Sequence, residues 1–476
     1  RYNFRVNLEN QVRKWLTISA NISYSDYTSN GGGAMGTGAN RGGVILAVIN
    51  TPTYAPVWDA LNPNQYYNNF YGVGNITNPL ENMARAKNNK DKENRLLASG
   101  NILLTPFPEL KFKSTLTLDR RNAVNTTFLD PISTAWGRNQ YGEGSDNRNM
   151  NTVLTFDNVL TYNKNFKKHG LEVMAGSSWT DSDYSNSWIN GSHYRSDLIQ
   201  TLNAANKISW DNTGTGASQW GIMSFFGRVA YNFDSKYLLT ANLRADGSSR
   251  FPKGNKYALF PSVSASWRVI SEGFMQDQEI FNDLKIRGGW GRVGNQNIGN
   301  NATLTLLNET QYYFGNTLTN GYYVSTVGNN QLKWETVEDW NVGVDMSFLN
   351  SRLGVTFEYF QKKSMDMLYQ KQNILALGYD NWNSQIWMNI GSMQARGWEL
   401  GLTWRDEIGK DFSYDLGLNL SAVRNKAIKF SGDGPMNVGG FNSDQIIRNE
   451  DGGLISRFYG YVADGLFQNM EEVYAH

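Results

Sequence analysis

A chain of 476 residues with 44 Lys+Arg against 43 Asp+Glu carries a net charge of +1, which argues against a nucleic-acid partner and against an acidic disordered tail. The lack of cysteine removes thiol nucleophiles, disulfides and thiolate metal sites together. Ten prolines, 15 Trp and 25 Tyr favour strands. The mean hydropathy of −0.51, with no run near the roughly 18 apolar residues of a membrane helix, still leaves a membrane β-barrel open, because only alternate residues of such a barrel face lipid.

Taken in order, the chain reads as strand from Arg1-Tyr2-Asn3-Phe4, with no secretory leader. Strict alternation then recurs. Leu16, Ile18, Ala20, Ile22 and Tyr24 oppose Thr17, Ser19, Asn21, Ser23 and Ser25. Trp340, Val342, Val344, Met346 and Phe348 oppose Asn341, Gly343, Asp345 and Ser347. Trp398, Leu400, Leu402 and Trp404 oppose Glu399, Gly401, Thr403 and Arg405, and residues 385–405 read as one long strand arm. Phe412 to Leu420 repeat the pattern. Helical periodicity is nowhere sustained beyond about two turns.

The connections alternate as regularly as the side chains. Short ones lie around residues 10–14, 106–109, 163–170, 232–236, 350–352 and 406–410. Long ones span roughly residues 29–94, 121–150, 185–218, 246–255, 294–332, 370–384 and 426–452. Hairpins with one trimmed end match a membrane barrel with short periplasmic turns and long extracellular loops; a soluble sandwich has no reason to trim one end. The fold class is all-β: an antiparallel transmembrane β-barrel, partial, with about 15 of about 22 strands. The segment 470–476 ends without a strand pattern. The expectation is therefore a partial barrel over residues 1–476, lacking an N-terminal plug domain and C-terminal closing strands. The apolar face would meet outer-membrane lipid, with Trp340, Trp398 and Trp404 as girdle candidates.

Catalytic chemistry finds no foothold. His169, His193 and His476 sit in a turn, a loop and a terminus, and are expected to be exposed loop residues without an HxxxH partner. The glycine-rich run 31–38 lacks the Lys-Ser/Thr of a phosphate loop. Asp246-Gly247-Ser248-Ser249-Arg250 offers oxygens to a cation, but reads better as a turn in which Arg250 pairs locally; residues 431–435 hold one carboxylate where a calcium loop needs several. No metal site and no cofactor are expected. Loop aromatics are the ligand-contact candidates: Trp58, Tyr66, Tyr67 and Tyr71 in the first long loop; Trp136 and Tyr141 in the second; Tyr312, Tyr313, Tyr322 and Tyr323 in the 294–332 insertion; and Trp382. Flat rings stack on sugars or hold peptide side chains, and equally pack loops or partner surfaces. The set singled out is Trp58, Tyr67, Trp136, Tyr313, Tyr323 and Trp382.

A series of motifs runs from residue 242 to 468: Arg244-Ala245-Asp246-Gly247-Ser248-Ser249-Arg250-Phe251, Phe260-Pro261-Ser262, Ser266-Trp267-Arg268, and Ser271-Glu272-Gly273-Phe274. There follow residues 284–291, Gly294-Asn295-Gln296, Asn330-Gln331-Leu332-Lys333-Trp334-Glu335, Gly397-Trp398-Glu399-Leu400, residues 421–426, and Tyr459-Gly460-Tyr461 with residues 464–468. In order and spacing this series resembles the SusC/RagA-like, TonB-dependent outer-membrane transporters of the Bacteroidetes. The resemblance implies active import of oligosaccharides or peptides, a SusD-like surface lipoprotein as partner, and TonB acting through a region N-terminal to Arg1. It implies no enzyme activity. A passive porin, a soluble glycan-binding sandwich or adhesin, and an outer-membrane hydrolase are the rival readings; the last needs a lumen-facing Ser/His or carboxylate set that the sequence does not offer.

Overall fold

The structure is a computed structural model that describes residues 1–30, 44–63, 65–67, 78–131, 141–372, 385–430, 434–441 and 444–475. The chain divides into two units, residues 1–160 with 178–222, and residues 161–177 with 223–476.

In the first unit β1 (Tyr2–Arg13), β2 (Leu16–Asn30), β3 (Lys90–Phe107) and β4 (Leu110–Leu129) pair in antiparallel succession. The loop-side parts of β5 (Glu143–Phe166), β6 (His169–Tyr194) and β8 (Gly214–Phe233) follow as hydrogen-bonded neighbours, and short β7 (Ala205–Ile208) pairs with β6. The even residues Leu16 to Tyr24 lie against Leu104 to Leu96, building one apolar face. Asp26, Asn94 and Asn122 align in the next row and close that face off. On the odd face Arg95 lies opposite Arg121; this like-charge pair is relieved diagonally by Asp119 at 2.5 Å and Glu93 at 2.5 Å.

The second unit carries the turn-side parts of β5, β6 and β8, and continues through β9 (Tyr237–Ser248), β10 (Tyr257–Arg268) and β11 (Phe281–Asn295). Two small hairpins, β12 (Leu306–Phe314) with β13 (Thr317–Thr326) and β16 (Leu368–Gln372) with β17 (Gln385–Asn389), stand apart from the main sheet. That sheet passes directly from β11 to β14 (Glu335–Phe348), then to β15 (Leu353–Met365), β18 (Ser392–Ile408) and β19 (Phe412–Lys429). Strands β20 (Met436–Phe441), β21 (Asp444–Asn449) and β22 (Arg457–Phe458) form a third small sheet. The expected all-β class and strand number hold: among the described residues the main sheet has 15 strands, with β1 and β19 at the two ends of its order.

Here too the apolar face is nine residues tall, Trp340 to Phe348 on β14, facing Ile286 and Leu284 on one side and Tyr359, Phe357 and Val355 on the other. Nine residues at about 3.3 Å, tilted 35–45°, span roughly 20–24 Å, close to the ~25 Å apolar band of outer-membrane barrels. Trp340 and Trp398 lie at the loop end of this band, and Trp404 at its turn end, where its Nε1 donates to the Tyr414 hydroxyl at 3.4 Å.

Several expected boundaries shift. Strands β4 and β5 run to Leu129 and from Glu143, so the second long connection shrinks to 130–142. Beyond the band both faces are polar, and the period of two loses its hydrophobic contrast. The arm expected over 385–405 is two strands: Gly391, at φ 94°, breaks it, and a Cβ there would meet the Phe430 carbonyl oxygen at 2.9 Å. The first long loop holds two short helices, α1 (Val44–Asn50) and α2 (Pro79–Ala86), the latter capped by Asn78 accepting from Leu80 N at 3.0 Å. A six-residue helix, α3 (Met470–Ala475), lies near the C-terminus.

His169 is not an exposed loop residue. It opens β6, is half-buried, and sits 2.6 Å from the Tyr231 hydroxyl in an aromatic row of Phe166, His169, Phe233, Tyr237 and Trp267. This row lies at the short-turn end, where amphipathic rings suit a membrane interface. Between β10 and β11 the same end carries a connection too long for the regular rhythm, with short 3₁₀ turns at Val269–Ser271 and Gly273–Met275. Glu272 fastens it, accepting from Tyr237 Oη at 2.5 Å, Trp267 Nε1 at 3.0 Å and Lys236 Nζ at 3.3 Å. The Tyr237 and Trp267 hydrogen bonds, with Lys236 adding less, hold its carboxyl below the ordinary carboxylate range. A carboxyl depressed on folding stabilises above its unfolded pKa of about 4.3 and loses that contribution as pH falls through the lower folded value. Trp267 fluorescence should therefore hold steady from pH 7 to 5 and change only in acid; in Glu272→Gln that acid transition should vanish. An unchanged transition in the variant would refute the assignment.

Candidate functional site

The polar face of the second unit is the candidate ligand path. Odd residues of β11 and β14, even residues of β15 and odd residues of β18 share it, and glycines at 289, 343 and 401 keep it open. At Gly343 a Cβ would press on the Arg287 guanidinium at 2.9 Å, so the glycine makes room for that side chain to cross the sheet. Arg287 reaches Asp345 at 3.4 Å and pairs with Glu358; Lys285 lies 3.9 Å from Asp345, and Asn341 Nδ2 donates to Glu358 Oε1 at 3.0 Å. Glu358 also lies in register with Glu399 on β18. Two carboxylates directly opposite repel, and Arg287 supplies the countercharge. The result is a polar lining of paired cations and carboxylates that offers donors and acceptors to a polar solute. Sequence reasoning missed these residues. The available signal was a charge on the polar parity of strands whose other members are Gly, Ser, Thr and Asn.

Above the strands, the connections converge on a buried cluster of Phe251, Phe260, Ile298, Ala302, Leu332 and Trp334. Trp334 stacks obliquely on Phe251 at 5.2 Å, meets Phe260 edge-on at 5.5 Å, and donates from Nε1 to the Lys256 carbonyl at 2.8 Å. Gly294 permits this: a Cβ there would overlap the Phe260 ring. Arg250 reaches well beyond its own turn. Its Nε donates to Asn300 Oδ1 at 2.8 Å and its Nη1 to the Gln296 carbonyl at 3.4 Å, some fifty residues away. Asp246 takes Arg244 at 2.7 Å. Asn389 joins the next hairpin to this base, accepting from Lys333 N at 2.9 Å and donating to the Lys333 and Asp366 carbonyls at 2.8 Å. The motifs around 244–251, 294–296 and 330–335 are thus the clasp of the loop base. Among the described residues no group of three or more acidic, His or Cys side chains could hold a metal.

The loop aromatics fall in separate units. In the first, Trp58 is half exposed and stacks on Tyr66 at 4.7 Å in a small bridged turn; Tyr67 N donates to the Val57 carbonyl at 3.0 Å. Asn78 ties the turn to α2 through the Val57 and Tyr67 carbonyls. In the second, Tyr313 is 64% exposed and shares a face of the β12–β13 hairpin with Tyr322 and Leu318. Tyr323 lies on the opposite face with Tyr312 and Phe314, and is partly covered. Tyr71, Trp136, Trp382, His476 and the glycine-rich run 31–38 lie outside the described residues.

An antiparallel wall with a membrane-height apolar face, a charged opposite face and one set of long connections defines an outer-membrane β-barrel. The model of the TonB-dependent receptor-like β-barrel family matches residues 36–444, and the chain belongs to that family. It is 32% identical over 364 residues to TonB-dependent receptor P39 of Formosa agariphila, covering 76% of this chain and 34% of that protein. It is 29% identical over 454 residues to TonB-dependent receptor SusC of Bacteroides thetaiotaomicron, covering 90% of this chain and 44% of that protein. The fold is similar to that in the structure of the RagAB peptide transporter, with a TM-score of 0.78 at 23% identity over 95% of this chain and 49% of the other. The chain thus spans less than half the length of the curated relatives it matches. The SusC/RagA-like resemblance read from the motifs holds, and the family is one of outer-membrane receptors rather than enzymes.

Proposed function

We propose that residues 1–476 are the barrel wall and outer loops of a SusC-like importer that draws oligosaccharides or peptides across the outer membrane of a Bacteroidetes bacterium. In this reading TonB supplies the energy through a plug encoded N-terminal to Arg1, and a SusD-like surface lipoprotein covers the loops. The observation that carries it is the pairing of a nine-residue apolar band with an opposite face lined by Lys285, Arg287, Asp345 and Glu358. Such a wall separates lipid from a wide polar lumen. Trp58, Tyr67, Tyr313 and Tyr323, with Trp136 and Trp382, are the proposed ligand contacts, because aromatic rings in long connections suit sugar faces and peptide side chains alike.

Deleting the gene from its host should abolish growth on one class of oligosaccharide or peptide, and loss of TonB should abolish the same uptake. A passive porin would keep transporting without TonB, and that result would refute active import. Detergent extracts should yield the protein together with a surface lipoprotein.

A further inference from the structure

The outward face of the second unit carries a patch of three cations just above the apolar band. On β18 the even residues Trp404, Leu402, Leu400 and Trp398 end in Arg396; on β19 Leu416, Leu418, Leu420 and Ala422 end in Arg424 and Lys426. Arg396 and Arg424 lie directly opposite each other in register, and Lys426 lies opposite Gln394. Like charges paired across strands repel, and elsewhere on this sheet such rows are neutralised. Two strands away, on the same face, Arg292 has Glu338 at 3.6 Å and Trp290 Nε1 donates to Glu338 at 2.7 Å. No ion pair or side-chain hydrogen bond neutralises Arg396, Arg424 or Lys426 among the described residues. The three line a cavity of about 550 Å³ together with Tyr359, Trp398 and Leu454.

Resting on the reading of this face as the lipid-facing wall, we propose that this cavity is a phosphate-headgroup site for a lipid of the outer leaflet. The chemistry fits a phosphorylated glycolipid. The two arginines offer forked donors to phosphate oxygens, Lys426 adds a point charge, and the Tyr359 and Trp398 rings receive the sugar ring and the start of the acyl chains. The level fits as well, since cations and indole rings both settle where headgroups meet hydrocarbon. A bound headgroup relieves the repulsion of the Arg396–Arg424 pair and seals the barrel against the leaflet.

The test uses the full-length protein in detergent micelles doped with monophosphorylated lipid A, the same glycolipid without its phosphate, or inorganic phosphate alone, with bound lipid read by native mass spectrometry. The expected result is retention of the phosphorylated glycolipid only. It should weaken on the order of 100-fold in Arg396→Gln/Arg424→Gln/Lys426→Gln, from the loss of three membrane-surface cations, and survive in Arg396→Lys/Arg424→Lys. Heat-modifiable migration of each variant confirms that it folds. Equal retention of both glycolipids, an unchanged triple variant, or full competition by millimolar inorganic phosphate would each overturn the site. Recovery of the protein as a soluble species without detergent would overturn the barrel reading instead, so the two failures are distinguishable.

Discussion

Trp334→Ala will free the outer loops while leaving the barrel strands intact. Trp334 is 6% exposed and bridges Phe251, Phe260 and the Lys256 carbonyl, so truncation removes a large buried ring and a backbone hydrogen bond together. Large-to-small changes of this kind cost about 3–5 kcal/mol. The loss falls on a local cluster rather than on the sheet, since the strands keep their ladders on both sides of it. Protease applied to intact outer-membrane vesicles should then cut within 296–335, while the strands persist. Tyr313→Ala removes an aromatic of comparable size from an exposed hairpin and should leave the digestion pattern unchanged. If the Trp334 variant resists cleavage as the parent does, the cluster is not the clasp of the loops.

Val344→Arg should lower the stability of the inserted barrel by about 2–4 kcal/mol, because Val344 is central in the apolar band and a cation at mid-membrane depth is costly. Val344 stands between Ile286 and Phe357 in register. Thr356→Arg offers the control, since Thr356 lies opposite Asp345 on the other face, and a new cation there meets a carboxylate in a hydrated lumen. It should cost less than about 1 kcal/mol. The readout is the urea midpoint for loss of heat-modifiable mobility in lipid vesicles. Equal midpoints for the two variants would mean that the faces are misassigned.

Most of the sheet is legible in the order of residues. Alternation at Leu16–Tyr24 and Trp340–Phe348 is a property of the strand itself: side chains two apart share a face, and only one face meets lipid. Loop asymmetry is legible for the same kind of reason, because length in residues needs no geometry. Errors arise where local contrast fades. The strands flanking 130–142 run beyond the band with polar residues on both faces, and the break at Gly391 depends on a left-handed turn against the Phe430 carbonyl.

The site divides along the same line. That Tyr313 sits in a long connection follows from the order of residues; that it stands on a two-stranded hairpin with Tyr322 follows from register. Composition and period alone determined an all-β membrane wall with one decorated end and no thiols. Only the tertiary structure decided that Arg250 reaches Asn300, that Arg287 balances Asp345 and Glu358, and that Arg396 faces Arg424 without a counterion among the described residues. The reason is physical. Periodicity is encoded between near neighbours, whereas charge pairing and aromatic packing join residues tens of positions apart, and their partners exist only once register brings the strands together.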